Sequence, residues 1–230
     1  MRRMHTALAL TLAAVVYSNV TNLLPQGLHD VAYVPLNLAA GAAVALAAWW
    51  WLRLDRQSLG LPKGAVLTGL KWGTAAGLAI AAPLYVALAV PAARDVLGGD
   101  ARAQELTVAA LLYATVVRIP LGTALFEEWI FRGVLYGAWL RSAGPRAAWL
   151  VPSAAFGLWH IVPSLELSDA NWPDAQVAIV ALFVAGSIVA TAAAGLLFTA
   201  LRVRSGGVIA PVVAHGLINS LALLAAWLAG

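Results

Sequence analysis

Apolar residues fill seven long segments of the chain, and short breaks rich in Pro, Gly and charged residues separate them. With one shorter exception, each segment has close to or more than the ~20 residues that a helix needs to cross a bilayer. The predicted spans are residues 6–24, 31–52, 65–90, 106–140, 147–162, 176–201 and 208–228. The pattern therefore predicts an all-α, polytopic membrane bundle of about seven transmembrane helices.

Lysine and arginine are distributed unevenly between alternate connections. If the N-terminus lies in the cytoplasm, only Arg94 and Arg102 fall in outer connections. The inner connections then hold Arg2, Arg3, Arg53, Arg56, Lys63, Arg141, Arg146, Arg202 and Arg204. An excess of Lys and Arg on the cytoplasmic side is typical of membrane proteins, so the pattern predicts a cytoplasmic N-terminus.

The fourth segment, residues 106–140, is too long for an untilted span and contains Pro120. It is either one kinked helix or two short helices joined by a turn near Pro120. Two helices would invert every later connection and remove most of the charge bias, so we prefer one kinked helix. After the fifth span, which is expected to end at Val162, we expect an acidic outer loop over residues 164–175.

Composition agrees with a membrane protein, because 62% of the 230 residues are hydrophobic and only 10% are charged. The connections are too short to bury a soluble core, so residues 1–230 are interpreted as a single integral membrane domain. The first apolar run lacks a small-x-small cleavage site, which favours an uncleaved span over a signal peptide. Arginine and alanine usage suggests a GC-rich bacterial genome, and hence a multi-pass protein of the bacterial inner membrane. No basic run suggests nucleic acid, and the absence of cysteine excludes a thiol nucleophile.

Glu127, Glu128 and Arg132 lie close together in the otherwise almost wholly apolar fourth segment. Ionisable groups at membrane depth are costly and usually functional. Residues four apart share a helix face, so Glu128 and Arg132 are predicted to form a structural ion pair. Glu127 points about 100° away round the axis and is available for chemistry. The alternative is that both glutamates only neutralise Arg132 and Arg118.

Two histidines and an asparagine lie in other apolar segments. His160 is in the fifth, and His215 and Asn219 are four residues apart in the seventh. A lone histidine in an apolar helix is more often a packing group than a catalytic one. At about 1.5 Å per residue, however, these three residues and Glu127 all lie roughly 16–23 Å from the inner arginines. Their common depth predicts one shared, buried site.

These residues carry a resemblance to a known family. The segment from Glu127 to Arg132, EEWIFR, resembles the E-E-x-x-x-R motif of the CPBP family, which contains the type II CAAX prenyl endopeptidases and the Abi bacteriocin-immunity proteins. The segments FGLWH, ending at His160, and HGLIN, ending at Asn219, resemble its F-x-x-x-H and H-x-x-x-N motifs in the same order. The resemblance covers residues 106–230, which are therefore interpreted as a CPBP-like catalytic region.

The resemblance implies an intramembrane endopeptidase whose site opens to the cytosol. It implies that Glu127 and His160 activate a water molecule, and that His215 and Asn219 donate hydrogen bonds to the oxyanion of the intermediate. Glutamate as a proton acceptor and His or Asn as donors also suit these roles chemically. A zinc ion held by Glu127, His160 and His215 is the other possibility, although the H-E-x-x-H spacing is absent. The sequence leaves the metal-free and zinc mechanisms open.

Two other classes of function were weighed against a peptidase. A non-catalytic immunity or scaffold protein would keep the motifs for packing, and a proton-coupled transporter would use the same groups as a relay. No two-fold repeat supports a transporter. The expected partners are membrane lipid and a peptide or membrane-protein substrate. The sequence assigns no role to Arg118 and indicates neither the substrate's identity nor the oligomeric state.

Overall fold

The computed structural model describes residues 2–230, and over this range the regular structure is entirely helical. The helices, numbered in chain order, are α1 (Arg2–Thr21), α2 (Gln26–Trp50), α3 (Ala65–Ala87), α4 (Pro91–Gly98), α5 (Ala101–Gln104), α6 (Val108–Ala143), α7 (Pro145–Trp159), α8 (Ile161–Asn171), α9 (Val177–Ser205) and α10 (Ile209–Ala229). The predicted all-α fold is confirmed.

Seven helical segments in the described chain are long and apolar enough to cross a membrane, and they coincide with the seven predicted spans. Many large apolar side chains remain exposed on them, such as Val177 and Leu182 on α9, which are 85% and 75% exposed. An exposed apolar surface of this extent is unsuited to water and fits a lipid environment. The chain is a polytopic helical membrane bundle.

Helix α6 is one continuous helix of 36 residues, as preferred from the sequence. Its irregularity is a widened, π-helical turn pattern over Ala114–Leu125, with Pro120 inside, and a second π-helical segment at Trp129–Leu135. In π-helical geometry the N–H of residue 120 would bond to the carbonyl of Thr115, but proline has no N–H. The Ser220 hydroxyl donates to that carbonyl instead, at 2.8 Å. A side chain from α10 therefore satisfies the group that Pro120 leaves unpaired.

The predicted acidic loop after the fifth span is wrong over much of its length. Residues Ile161–Asn171 form helix α8, which follows α7 after a break at His160, where φ is −95° and ψ is 13°. Pro163 lies in the first turn of α8, where the missing N–H costs nothing because first-turn N–H groups have no intrahelical partner.

Helices α3 and α10 pack closely through the glycine face of α3. A Cβ atom added at Gly73 would lie 2.6 Å from the Ala210 carbonyl oxygen and 2.7 Å from Val213 Cβ. Gly69 and Gly77 are similarly close to α10. Small residues at this spacing allow helix backbones to approach, so these glycines have a packing role between α3 and α10.

The connection between α2 and α3 closes one end of the bundle, beside the arginine-rich ends of α6 and α9. The Arg202 guanidinium donates one hydrogen bond to the carbonyl of Ser58 in this connection, at 2.6 Å, and another to the carbonyl of Arg132 on α6. The Val208 N–H donates to the carbonyl of Gly60 at 2.9 Å. Gly60 has a φ of +75°, which suits glycine. These bonds fix the connection across the end of the bundle.

Candidate active site

Glu128 and Arg132 form an ion pair inside the bundle. Both are fully buried on α6, and Arg132 Nη1 donates to Glu128 Oε1 at 2.8 Å. The guanidinium carbon of Arg132 lies 4.3 Å from the ring centroid of Phe156 and 5.2 and 5.7 Å from those of Phe198 and Phe131. The faces of aromatic rings attract cations, so three rings from three helices help to stabilise a charge that water does not reach.

His215 of α10 lies between the two glutamates. Its Nδ1 is 2.9 Å from Glu128 Oε1, and its Nε2 is 3.9 Å from Glu127 Oε2. Arg132 donates to the same Glu128 oxygen, so Oε1 is the acceptor in both contacts and Nδ1 carries the proton of this hydrogen bond. The ring stacks on Phe198 with centroids 5.0 Å apart. The orientation of His215 is therefore fixed by Glu128 on one edge and by Phe198 on one face.

Glu127 is buried, with 4% of its surface exposed. Its Oε1 accepts a hydrogen bond from the indole Nε1 of Trp159, at 3.2 Å. Its Oε2 makes no hydrogen bond with the rest of the described chain. A buried carboxylate oxygen without a donor is costly, so its presence calls for an explanation such as a reacting group.

His160 and Asn219 line the same cavity as Glu127. His160 lies at the break between α7 and α8, and its Nδ1 is 2.7 Å from the carbonyl oxygen of Phe156. A carbonyl can only accept, so Nδ1 carries the proton and Nε2 of the neutral ring is an acceptor. The structure thus brings Glu127, His160 and Asn219 to one cavity, and His215 contacts Glu127 from the packed side.

The cavity has a volume of about 310 Å³ and extends from Glu127 toward the end of the bundle where α1 ends and α2 begins. Residues at or near that end carry charged or polar side chains. They are Asn22, His29, Arg102, Arg118 and Glu166. The connection between α2 and α3, with its arginines, lies at the opposite end. If the N-terminus lies in the cytoplasm, this cavity opens toward the outer side of the membrane. The expected cytoplasmic N-terminus and the cytosolic opening implied by the family resemblance therefore cannot both hold for this cavity.

A family model of type II CAAX prenyl endopeptidase Rce1-like proteins matches residues 103–221, just over half of the chain. This chain belongs to the type II CAAX prenyl endopeptidase Rce1-like family. No curated protein and no solved structure matches it. The matched segment contains Glu127, His160, His215 and Asn219. At the level of the family, the protein is an intramembrane CAAX-type protease, and the resemblance inferred from the three motifs is confirmed.

The zinc alternative was tested against the donors that this family member offers. Among the side chains that the structure describes, which leave out that of Asp30, no three from His, Asp or Glu are grouped so that they could hold a metal ion. Of the three suggested ligands, Glu127 and His215 are within 3.9 Å of each other, and the contact of His215 Nδ1 with Glu128 leaves its Nε2 on the side of Glu127. His160 is not grouped with them, so the described side chains do not form the suggested His₂Glu set.

Trp159 was not recognised from the sequence as part of the site. Its indole N–H donates to Glu127, and its ring packs edge-on against Phe131 with centroids 5.2 Å apart. A tryptophan deep in an apolar helix needs an acceptor for its N–H, and Glu127 was an acceptor at about the same predicted depth. The need of the Trp159 N–H for an acceptor was the feature of the sequence that could have indicated its place in the site.

The first two helices also contribute to the cavity, although the sequence indicated only generic membrane spans. The Tyr17 hydroxyl donates to Asn37 Oδ1 at 2.7 Å, and Asn37 Nδ2 donates to the carbonyl of Gly122 at 2.9 Å. The hydroxyls of Tyr33 and Thr123 are 3.0 Å apart. These bonds connect α1 and α2 to the π-helical part of α6 and give the cavity a polar wall.

Proposed function

We propose that this family member hydrolyses a peptide bond of a membrane-associated substrate, with Glu127 as the general base. The observation that carries the proposal is the Glu127 carboxylate, which is buried, accepts a hydrogen bond from Trp159 on one oxygen and makes none with the described chain on the other. That second oxygen is available to accept a proton from water. Because the same cavity is lined by His160 and Asn219, a polar substrate group and a water molecule would have donors and acceptors there.

In the proposed reaction, a water molecule is held by Glu127 Oε2 and His160 Nε2. Glu127 accepts one proton as the water oxygen adds to the carbonyl carbon of the scissile bond. The tetrahedral intermediate carries a negative oxygen, to which His215 Nε2–H and the Asn219 amide donate hydrogen bonds. The C–N bond then breaks, and the proton held by Glu127 is transferred to the leaving amine. The second proton of the water passes from the new carboxylic acid to the amine, so the products are a carboxylate and an ammonium group.

The contacts of His215 support it as a donor in this scheme. Its Nδ1 is 2.9 Å from Glu128 Oε1, and its Nε2 is on the side of Glu127, 3.9 Å from Glu127 Oε2. A ring with a proton on both nitrogens would donate one hydrogen bond from Nδ1 to Glu128 and one from Nε2 to the developing oxyanion. Glu128 acts on the reaction only through the position of His215.

The proposed substrate class follows the family name, which specifies a prenylated chain terminus. A lipid-modified peptide suits a bundle whose outer surface is apolar and whose cavity is polar, because its lipid can stay in the membrane. We further propose that residues 1–230 form one integral domain in a bacterial cell membrane, with catalysis confined to residues 106–230.

The test is a Glu127→Gln variant, assayed in proteoliposomes with an internally quenched, farnesylated CAAX peptide. Glutamine keeps the shape and accepts the Trp159 hydrogen bond but is not a base, so kcat should fall by about 10²- to 10⁴-fold. Glu105→Gln, at an exposed position outside the cavity, is the matched control and should keep full activity. Thermal unfolding should be similar for all three proteins. A Glu127→Gln variant that cleaves as fast as the parent would refute the proposal and favour a non-catalytic role.

A further inference from the structure

The end of the bundle that carries the arginine-rich connections has an excess of positive charge. Its described basic residues are Arg3, Arg53, Arg56, Lys63, Arg141, Arg146, Arg202 and Arg204, and Asp55 is the only acidic residue in the same stretches of sequence. Positive charge at a membrane surface attracts anionic lipids, and the attraction falls off within about one Debye length. The charge therefore favours a negatively charged partner at this end.

A groove of about 550 Å³ lies at this end, where α2 passes into its connection to α3. It is lined by Trp49, Trp50, Arg53, Leu54, Asp55 and Arg56. The two tryptophans are 60% and 75% exposed. Tryptophan is typical of the level at which lipid headgroups meet acyl chains. One turn earlier on α2, Leu46 is 64% exposed, so the groove continues into the lipid-facing surface of that helix.

The backbone at Arg53 adopts a strained conformation beside this groove. Its φ is +50°, which residues other than glycine rarely adopt. The Arg141 guanidinium donates to the Arg53 carbonyl at 2.7 Å, and the N–H of the buried Leu54 donates to the Ala48 carbonyl at 3.2 Å. Strained backbone that is held by its surroundings often occurs at functional sites. The turn places Arg53 and Arg56, three residues apart, along the same groove.

The two arginines of the groove are available to an external anion. In the part of the chain that the structure describes, neither Arg53 nor Arg56 forms a salt bridge with a carboxylate. Asp55 lies between them in sequence, but its Oδ1 accepts a hydrogen bond from the N–H of Ser58 at 2.8 Å. Arginine suits phosphate especially well, because its planar N–H groups match two phosphate oxygens. The groove thus combines phosphate donors with an apolar wall.

We propose that this groove binds one anionic phospholipid. Its phosphate contacts Arg53 and Arg56. One acyl chain lies against the rings of Trp49 and Trp50 and continues onto the apolar surface of α2. A free phosphate would leave the exposed rings uncovered, and a zwitterionic headgroup would bring a cation that the arginines repel. The inference does not depend on the proposed function, since the groove and the mouth of the Glu127 cavity lie at opposite ends of the bundle.

Native mass spectrometry of the full-length protein in detergent tests the proposal. The first dioleoylphosphatidylglycerol should bind with a Kd about 10- to 30-fold lower than the first dioleoylphosphatidylcholine, as expected for two arginines near the membrane surface. The double variant Arg53→Gln, Arg56→Gln should lose most of this preference, and Arg53→Lys, Arg56→Lys should keep most of it. Glycerophosphoglycerol, which has the same headgroup but no acyl chains, should bind far more weakly than the lipid.

The matched control is the double variant Lys63→Gln, Arg146→Gln, which removes two charges at the same end from exposed positions outside the groove. It should keep the preference for phosphatidylglycerol. An equal loss in this control would mean that the charge of the whole end selects the lipid, and would overturn the proposal. Equal Kd values of the parent for the two lipids would also overturn it, whether or not the variants fold. Glycerophosphoglycerol binding as tightly as the lipid would identify a site for a free anion instead.

Discussion

At the residue scale, Glu128 contacts two side chains, of which its sequence position predicts only one. The four-residue spacing predicted the ion pair with Arg132, and the two side chains are bonded at 2.8 Å. The same oxygen, Oε1, is also 2.9 Å from the His215 ring. The second contact joins residues 87 positions apart, so no local pattern could predict it. It makes Glu128 both the partner of a buried cation and the support of a proposed catalytic ring.

Removing the Glu128 charge should destabilise the fold far more than removing that of Glu127. Glu128→Gln would remove the hydrogen-bonded counter-charge of the fully buried Arg132 cation, at an expected cost of about 3–5 kcal/mol in free energy of unfolding. The double variant Glu128→Gln, Arg132→Met removes both charges and should recover much of that loss. Denaturant unfolding in detergent, followed by circular dichroism, measures these differences. If the double variant is less stable than Glu128→Gln alone, Arg132 does not depend on Glu128 for neutralisation.

At the scale of helices, the spans followed from the sequence because ~20 apolar residues suffice to specify a transmembrane helix. Two features of the site did not follow. The π-helical turns around Pro120 depend on Ser220 and Asn37, which come from other helices. The break at His160 ends one helix and begins another within the same apolar stretch. At this break Asn19 of α1 donates to the Leu158 carbonyl and accepts from the Val162 N–H. Both features thus involve partners distant in sequence, so periodicity alone does not reveal them.

The contact between α3 and α10 gives a prediction about packing. In Gly73→Ala, the new Cβ would lie 2.6 Å from a backbone oxygen of α10, which cannot move without the helix, so we expect a loss of about 1–3 kcal/mol. Gly186→Ala is the matched control, because a Cβ there meets no atom within 4 Å. It should be neutral or slightly stabilising, since alanine favours helix more than glycine. Thermal unfolding in detergent compares the two, and equal stability would contradict the packing argument.

At the scale of the whole molecule, the sequence predicted the number of spans and the candidate residues, but not the end of the bundle from which they are reached. Counting residues from the inner arginines gave one common depth for Glu127, His160, His215 and Asn219. That count gives no information on the end of the bundle at which the helices separate and the cavity opens. The cavity opens beside the end of α1, and the connection between α2 and α3 lies at the other end. Such openings depend on how side chains from all the helices fill space.

Because the chain contains no cysteine, single cysteines can report which end of the bundle faces the cytoplasm. Leu23→Cys lies beside the cavity mouth, and Gln57→Cys lies in the connection between α2 and α3, both at exposed positions. If the distribution of arginine sets the orientation, a membrane-impermeant maleimide should label position 23 in intact cells, and position 57 only after permeabilisation. The reverse pattern would place the cavity mouth in the cytosol and the N-terminus outside.

The aromatic rings around Arg132 limit which residues of this protein can be substituted without loss of the fold. Rings from α6, α7 and α9 surround the guanidinium, and a Cβ at Gly195 would come within 3.1 Å of its Nη2. A change to any of these walls would disturb helix assembly and proton transfer together. Efforts to redirect cleavage toward new peptides should therefore begin at the cavity mouth, where Arg102 and Glu166 can be replaced without changing Arg132 or the rings around it.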